Sequence, residues 1–191
     1  MILFLKMRLF YIKIVMSKSC IVLDVDGTFL GSTRTKNKDN KDQYISHDGT
    51  SKVYCYIRPG TRQFIKNCKK LFDVIGIWSH GTEDWVEDFL KHIKISRKYF
   101  DFVLCRHHPG DWTKPLVWIH KKYGTDPKKT VMIDDTPDVV VRNKTNVFIV
   151  PEYVSSSKDR VLERLETYLF ELVKIDGDFR KHTFKVKEIW I

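Results

Sequence analysis

Apolar residues come in short runs divided by stretches of helical spacing. Cys20-Ile21-Val22-Leu23 is continuously apolar and ends in Asp24-Val25-Asp26-Gly27-Thr28. Such a run reads as a buried strand, with its polar tail at the carboxyl end, where open α/β sheets keep their ligand crevice. Val53–Ile57, Phe72–Trp78, Phe100–Cys105, Thr130–Ile133 and Val147–Val150 have strand-like composition. After the turn Arg58-Pro59-Gly60-Thr61, Phe64, Ile65, Cys68 and Leu71 recur at helical spacing. A second helix starts near Glu83, capped by Thr82, with Trp85, Val86, Phe89, Leu90 and Ile93 on one face and acids in its first turn. A third carries Leu116, Val117, Ile119 and Tyr123 and stops at Gly124, before the turn Asp126-Pro127. A short helical segment falls at Val139 to Arg142, and the clearest helix runs from Lys158 to Lys174. Strands alternating with helices predict an α/β fold, a mostly parallel sheet covered on both faces.

The remaining stretches set the organisation. Thr33 to Gln43 is almost wholly polar and places Arg34, Lys36, Lys38 and Lys41 in a basic loop, expected to be mobile over about 31–52. Met1 to Val15 is rich in Ile, Leu and Phe but broken by Lys6, Arg8 and Lys13, too short and too charged for a spanning helix. It reads as an extension ahead of Met16 or an edge strand, with membrane-surface binding as the other reading. The expected organisation is therefore an extension at 1–15, one domain at 16–175 and a tail at 176–191 with an apolar end. The four cysteines form no close CxxC pair and read as buried thiols of a reducing compartment. A formal charge of +10 over 191 residues favours an anionic partner without choosing among nucleic acid, phosphoprotein and membrane.

Polar groups stand at successive strand ends: Asp24 with Asp26, then Ser79, Lys114, and Asp134 with Asp135. Asp24 and Asp26 alone would suit a mere turn. Convergence of four such stations on one sheet edge favours a site instead. Its carboxylates make an oxygen-rich pocket suited to magnesium, and with Lys114 neutralising a dianionic substrate the chemistry suggested is phosphoryl transfer.

Asp24-Val25-Asp26-Gly27-Thr28 resembles the first motif of the haloacid dehalogenase superfamily. The wider run resembles its small carboxy-terminal-domain phosphatases, the NLI-interacting-factor-like group, with magnesium-dependent phosphatase 1 as a relation. Shared features are Arg58-Pro59-Gly60, Trp78-Ser79-His80-Gly81, Gly110-Asp111-Trp112-Thr113-Lys114 and Met132-Ile133-Asp134-Asp135-Thr136-Pro137. The resemblance implies a three-layer Rossmann-like fold with a minimal or absent cap and a Mg²⁺-dependent phosphatase working through an aspartyl-phosphate. By resemblance Asp24 is the nucleophile and a metal ligand. Asp26 is the general acid and base, its backbone carbonyl reaching the metal. Ser79 and Lys114 hold the transferring phosphoryl group. Asp135 is the side-chain metal ligand, and Asp134 holds Lys114, with metal contact as a further role. His80, Arg58 and Trp112 are additional substrate-binding candidates.

Asp135 stands where the group commonly has asparagine, and Cys105 to Trp112 leaves little room for the group's usual sheet insertion. A short insertion implies an exposed site, which suits a phosphorylated protein, at Ser/Thr or Tyr, better than a metabolite. The rivals are a nucleic-acid 3′-phosphatase and a phosphopeptide-binding scaffold of weak catalysis. An intact Asp24–Asp26 pair disfavours the scaffold, and scattered positive charge disfavours the nucleic-acid enzyme. The expected setting is intracellular, in cytoplasm or nucleus. The oligomeric alternatives are monomer and weak dimer. Compactness and lysine-asparagine richness are compatible with a viral or parasite source.

Overall fold

The structure is a computed structural model and describes residues 18–182 other than 39, 49, 108–111 and 176. The extension at 1–15, most of the tail, and His108, Gly110 and Asp111 lie outside the described residues. In chain order the strands are β1 (Lys18–Leu23), β2 (Leu30–Thr33), β3 (Gln43–Asp48), β4 (Ser51–Ile57), β5 (Val74–Trp78), β6 (Phe102–Leu104), β7 (Thr125–Asp134) and β8 (Val147–Ile149). The helices are α1 (Thr61–Leu71), α2 (Glu83–His92), α3 (Val117–Tyr123), α4 (Val140–Asn143) and α5 (Val161–Leu172). The main sheet is parallel, in the order β6-β5-β1-β7-β8. The chain thus leaves β1 to one side for β5 and β6, then crosses to its other side for β7 and β8. Such a reversal of strand order opens a crevice at the strands' carboxyl ends, and here it opens beside Asp24.

The strands' period of two divides the core. Ile21, Leu23, Ile75, Ile77, Val131 and Ile133 meet buried residues of α1, α2 and α5 on one face. Cys20, Val22, Val74, Trp78 and Met132 meet Leu116, Ile119 and Val139 on the other. The result is the three-layer architecture expected from sequence. Asp24 and Asp134 continue the Cys20–Val22 and Met132 rows, so they point to the layer from which the chain at 114–116 descends.

Three expectations change. The segment expected as a basic loop at 31–52 is half strand: its polar run at 34–42 is a connection, but its flanks belong to β2, β3 and β4, which form a small antiparallel sheet in the order β2-β4-β3. Leu30, Tyr44, Val53, Cys55 and Ile57 join the larger core. Its polar connection is tied down, because buried Asn40 donates to the Tyr153 hydroxyl at 3.0 Å and to the Ser155 carbonyl at 2.9 Å. Asp126-Pro127, expected as a turn, lies inside β7, beside a register irregularity opposite Lys18 and Cys20. Val117, expected on the apolar face of α3, is half exposed.

Other local expectations hold. Thr82 Oγ1 accepts the Trp85 N–H and caps α2, and Gly124 ends α3 with φ 65°, a left-handed conformation that glycine adopts without steric cost. No helix among the described residues is long and apolar enough to cross a membrane.

Candidate active site

Asp24 remains in register after β1, its N–H donating to the Ile133 carbonyl at 3.0 Å. This pairing sets the Asp24 carboxylate beside that of Asp134. Between them lies the Lys114 ammonium, 2.5 Å from Asp24 Oδ1 and 2.7 Å from Asp134 Oδ2. All three are buried. The Lys114 backbone has φ 46°, an uncommon conformation for a residue with a side chain, and the neighbouring chain is gripped from α4. Asn143 donates from Nδ2 to the carbonyls of Thr113 and Lys114, both at 3.0 Å, and accepts the Leu116 N–H at 2.9 Å. Sequence reasoning passed over Asn143, whose only signal was an amide in an apolar helical stretch.

Asp134 is fully committed, because its Oδ1 also accepts the Thr136 N–H at 2.9 Å. Asp135 accepts a bond of 3.3 Å from the Thr28 hydroxyl. It packs over Gly27, where a β-carbon would fall 2.2 Å from Asp135 Oδ2. Glycine is thus required there twice over, by contact and by its φ of 71°.

Asp26, partly exposed, stands at the rim. Its Oδ2 accepts the Ser79 hydroxyl at 3.0 Å, and its Oδ1 accepts the Trp85 indole N–H at 2.6 Å. Ser79 is itself fixed by the Gly81 N–H, which donates to its Oγ at 2.8 Å. The sequence pattern placed Trp85 on the apolar face of α2. An indole N–H usually needs a partner when buried, and this was the one signal for a polar role.

Burial pushes the Asp24 carboxyl up to about 8; Lys114 opposes this, and Asp134 and Asp26 add to it. Burial alone would lower Lys114, but Asp24 and Asp134 outweigh it and raise its pKa. Burial, then Asp134, raises Asp135. Ionised together, the three carboxyls would outnumber the one ammonium by two charges, and a divalent cation would neutralise that excess and hold them ionised against burial. Asp24, Asp134 and Asp135 each offer an oxygen within 4.8 Å of the others. Asp24 Oδ2 is buried with no partner among the described residues, a costly state unless a cation or substrate meets it. An all-oxygen set suits a hard cation. The residues fit a divalent metal.

The other candidates divide. Arg58, a substrate-binding candidate from sequence, is wholly buried and does not reach the cluster. Its guanidinium binds both oxygens of Asp159, at 2.9 and 3.0 Å, and donates to the carbonyls of Thr28 and Pro151, each at 2.9 Å. It is a structural tie between the first motif and the approach to α5, making four internal hydrogen bonds. His80 and Trp112 stand together, ring centroids 4.4 Å apart, Trp112 being 66% exposed. Burial, then the charge of Lys114, lowers His80 to about 4 and keeps it neutral, and its Nε2 has no partner among the described residues.

The profile of the NLI interacting factor-like phosphatases matches residues 19–180. The chain is 26% identical over 161 residues to a probable C-terminal domain small phosphatase of Dictyostelium discoideum, covering 82% of this chain and 51% of that protein. It is also 26% identical over 164 residues to the human carboxy-terminal domain RNA polymerase II polypeptide A small phosphatase 1, covering 83% and 61% respectively. The chain therefore spans between half and two thirds of these relatives. The structure of Fcp1, an essential RNA polymerase II CTD phosphatase, superposes with a TM-score of 0.65 at 18% identity, covering 90% of this chain and 66% of that one.

Proposed function

The chain belongs to the NLI interacting factor-like phosphatase family, and from that premise we propose that it is a Mg²⁺-dependent phosphatase of phosphorylated proteins, working through an aspartyl-phosphate on Asp24. The observation that carries the reading is the state of the Asp24 carboxylate. Lys114 holds Oδ1 in place, whereas buried Oδ2 is unpartnered among the described residues and is the oxygen left to attack once a bound cation offsets the cost of burying its charge.

Asp24, Asp135 and the main-chain carbonyl of Asp26 would hold the cation, with Asp134 turned to Lys114 by its two internal bonds. A bound dication supplies charge neutralisation for the carboxylates and for the phosphoryl oxygens. In the first step Asp24 Oδ2 forms a bond to phosphorus as the ester P–O bond breaks, and Asp26 gives its proton to the departing oxygen. In the second step Asp26 takes a proton from water, which attacks phosphorus and frees both phosphate and Asp24. Ser79 and Lys114 steady the phosphoryl group throughout. His80 and the exposed Trp112 offer a rim on which a peptide could rest. A phosphoprotein substrate is supported by the names of the human relative and of Fcp1, which refer to the carboxy-terminal domain of RNA polymerase II.

The test is a parallel assay of wild type, Asp24→Asn and Asp26→Asn on p-nitrophenyl phosphate, phosphoserine and phosphotyrosine peptides and a 3′-phosphorylated oligonucleotide, with and without Mg²⁺. Peptide turnover that needs both Mg²⁺ and Asp24 is expected. Preference for the oligonucleotide would replace the phosphoprotein reading by a nucleic-acid one, which the charge of +10 would suit.

A further inference from the structure

We propose that Trp85 is a positioning residue for the proton-transferring carboxylate: its indole N–H selects which oxygen of Asp26 carries the proton. This rests on the phosphatase reading above. Each Asp26 oxygen meets one donor, Oδ1 the Trp85 indole at 2.6 Å and Oδ2 the Ser79 hydroxyl at 3.0 Å. The two donors differ in kind. An indole N–H can only donate, whereas a hydroxyl can turn and either donate or accept. Oδ1 is therefore committed to accepting, and Oδ2 is the oxygen that can hold a proton toward Ser79.

Ser79 cannot keep Asp26 fixed during turnover. Its hydroxyl has a single hydrogen, and once a phosphoryl oxygen has drawn that hydrogen and Asp26 has passed its own proton to the leaving oxygen, the pair has no hydrogen left to share. Trp85 is then the donor that still holds the carboxylate. The indole is itself confined: a β-carbon at position 81 would lie 2.7 Å from Trp85 Cδ1 and 3.3 Å from Asp26 Oδ2, space that Gly81 leaves open. Trp85 belongs to the first turn of α2, and its backbone N–H is bound to the Thr82 hydroxyl at 3.3 Å, so cap and indole locate Asp26 from one rigid element. In the step this serves, the proton on Oδ2 passes to the leaving oxygen as the ester P–O bond breaks and the Asp24–phosphorus bond forms.

The consequence is a dependence on the leaving group. A serine alkoxide needs the proton, whereas p-nitrophenolate departs well without it. The experiment compares kcat/KM, which reports only steps through formation of the phosphoenzyme, for a phosphoserine peptide and for p-nitrophenyl phosphate. Trp85→Phe removes the N–H and keeps an aromatic ring. The peptide-to-nitrophenyl ratio of kcat/KM is expected to fall by roughly tenfold to a hundredfold, within the range ascribed to a placed general acid. In an Asp26→Asn background Trp85→Phe should not lower that ratio further. An unchanged ratio in an active, folded Trp85→Phe overturns the proposal while leaving the phosphatase reading intact. Wild type inactive on both substrates, or activity surviving Asp24→Asn, overturns the phosphatase reading and this proposal with it. Should Trp85→Phe not fold, indole ¹⁵N–¹H spectra of wild type and Asp26→Ala decide: one strongly hydrogen-bonded indole signal should move upfield in the variant, and unmoved signals from all five tryptophans would overturn the proposal.

Discussion

A methyl group at Gly27 should damage metal binding far more than folding. Gly27 has φ +71°, and an added β-carbon would sit 2.2 Å from Asp135 Oδ2 and 2.6 Å from its Cγ. Ordinary contact begins near 3.5 Å, so the carboxylate must retreat by about 1 Å. Asp135 shares an oxygen cage within 4.8 Å with Asp24 and Asp134, and such a shift takes it out of reach of a common cation. Misplacement by about 1 Å can cost a hundredfold in rate. The backbone term can be measured separately. Gly60 has φ +84° and nothing within 4 Å of where a β-carbon would fall, so Gly60→Ala carries the left-handed cost of about 1–2 kcal/mol without the clash. The assay is a Mg²⁺ titration of p-nitrophenyl phosphate hydrolysis for both variants, with urea unfolding of each. Gly27→Ala should need much more Mg²⁺ and lose about two orders of magnitude in kcat/KM, and Gly60→Ala should titrate like wild type. Equal Mg²⁺ midpoints for the two variants would refute the reasoning.

Further outcomes follow from single contacts. Arg58→Ala strands a largely buried Asp159 carboxylate and should cost about 3–5 kcal/mol in urea unfolding; a raised KM with unchanged stability would instead return Arg58 to the substrate site. Asn143→Ala frees the backbone on both sides of Lys114 and should lose roughly 1–3 kcal/mol together with activity, as read by thermal melts and turnover. His80 has a pKa of about 4 against an ordinary 6.5, so between those values the unfolded chain binds the extra proton. Its contribution to stability is complete above pH 6.5 and is lost as pH falls toward 4. Unfolding midpoints across that window should fall less steeply in His80→Gln than in wild type.

The parallel sheet was legible because the central segments of its strands are apolar on both faces and the longer helices α1, α2 and α5 each show one apolar stripe. The cluster of Asp24, Asp26, Ser79, Lys114, Asp134 and Asp135 was legible for a related reason: parallel topology brings strand ends to one edge, which Lys114 reaches from the segment ahead of α3. Strands β2 and β3 were hidden by their polar composition. Their pairing depends on β4, and only some of their side chains, Leu30 and Tyr44 among them, reach the core. Arg58 was misread because its partners lie 30 to 101 residues away, and nothing local distinguishes a guanidinium tied inside from one facing a ligand. Trp85 was read by its ring alone, since helical spacing predicts which face is apolar and says nothing of where an indole N–H ends.

The covalent role of Asp24 is tested most directly by trapping. Asp26→Asn, given ³²P-labelled p-nitrophenyl phosphate with Mg²⁺ and quenched in acid, should retain label on the protein, because its leaving group departs unaided while the water step lacks its base. The label should be released by hydroxylamine, as an acyl phosphate is, and should map to Asp24. Label on another residue, or label that persists when Asp24→Asn is added to the variant, would contradict an aspartyl-phosphate at the end of β1.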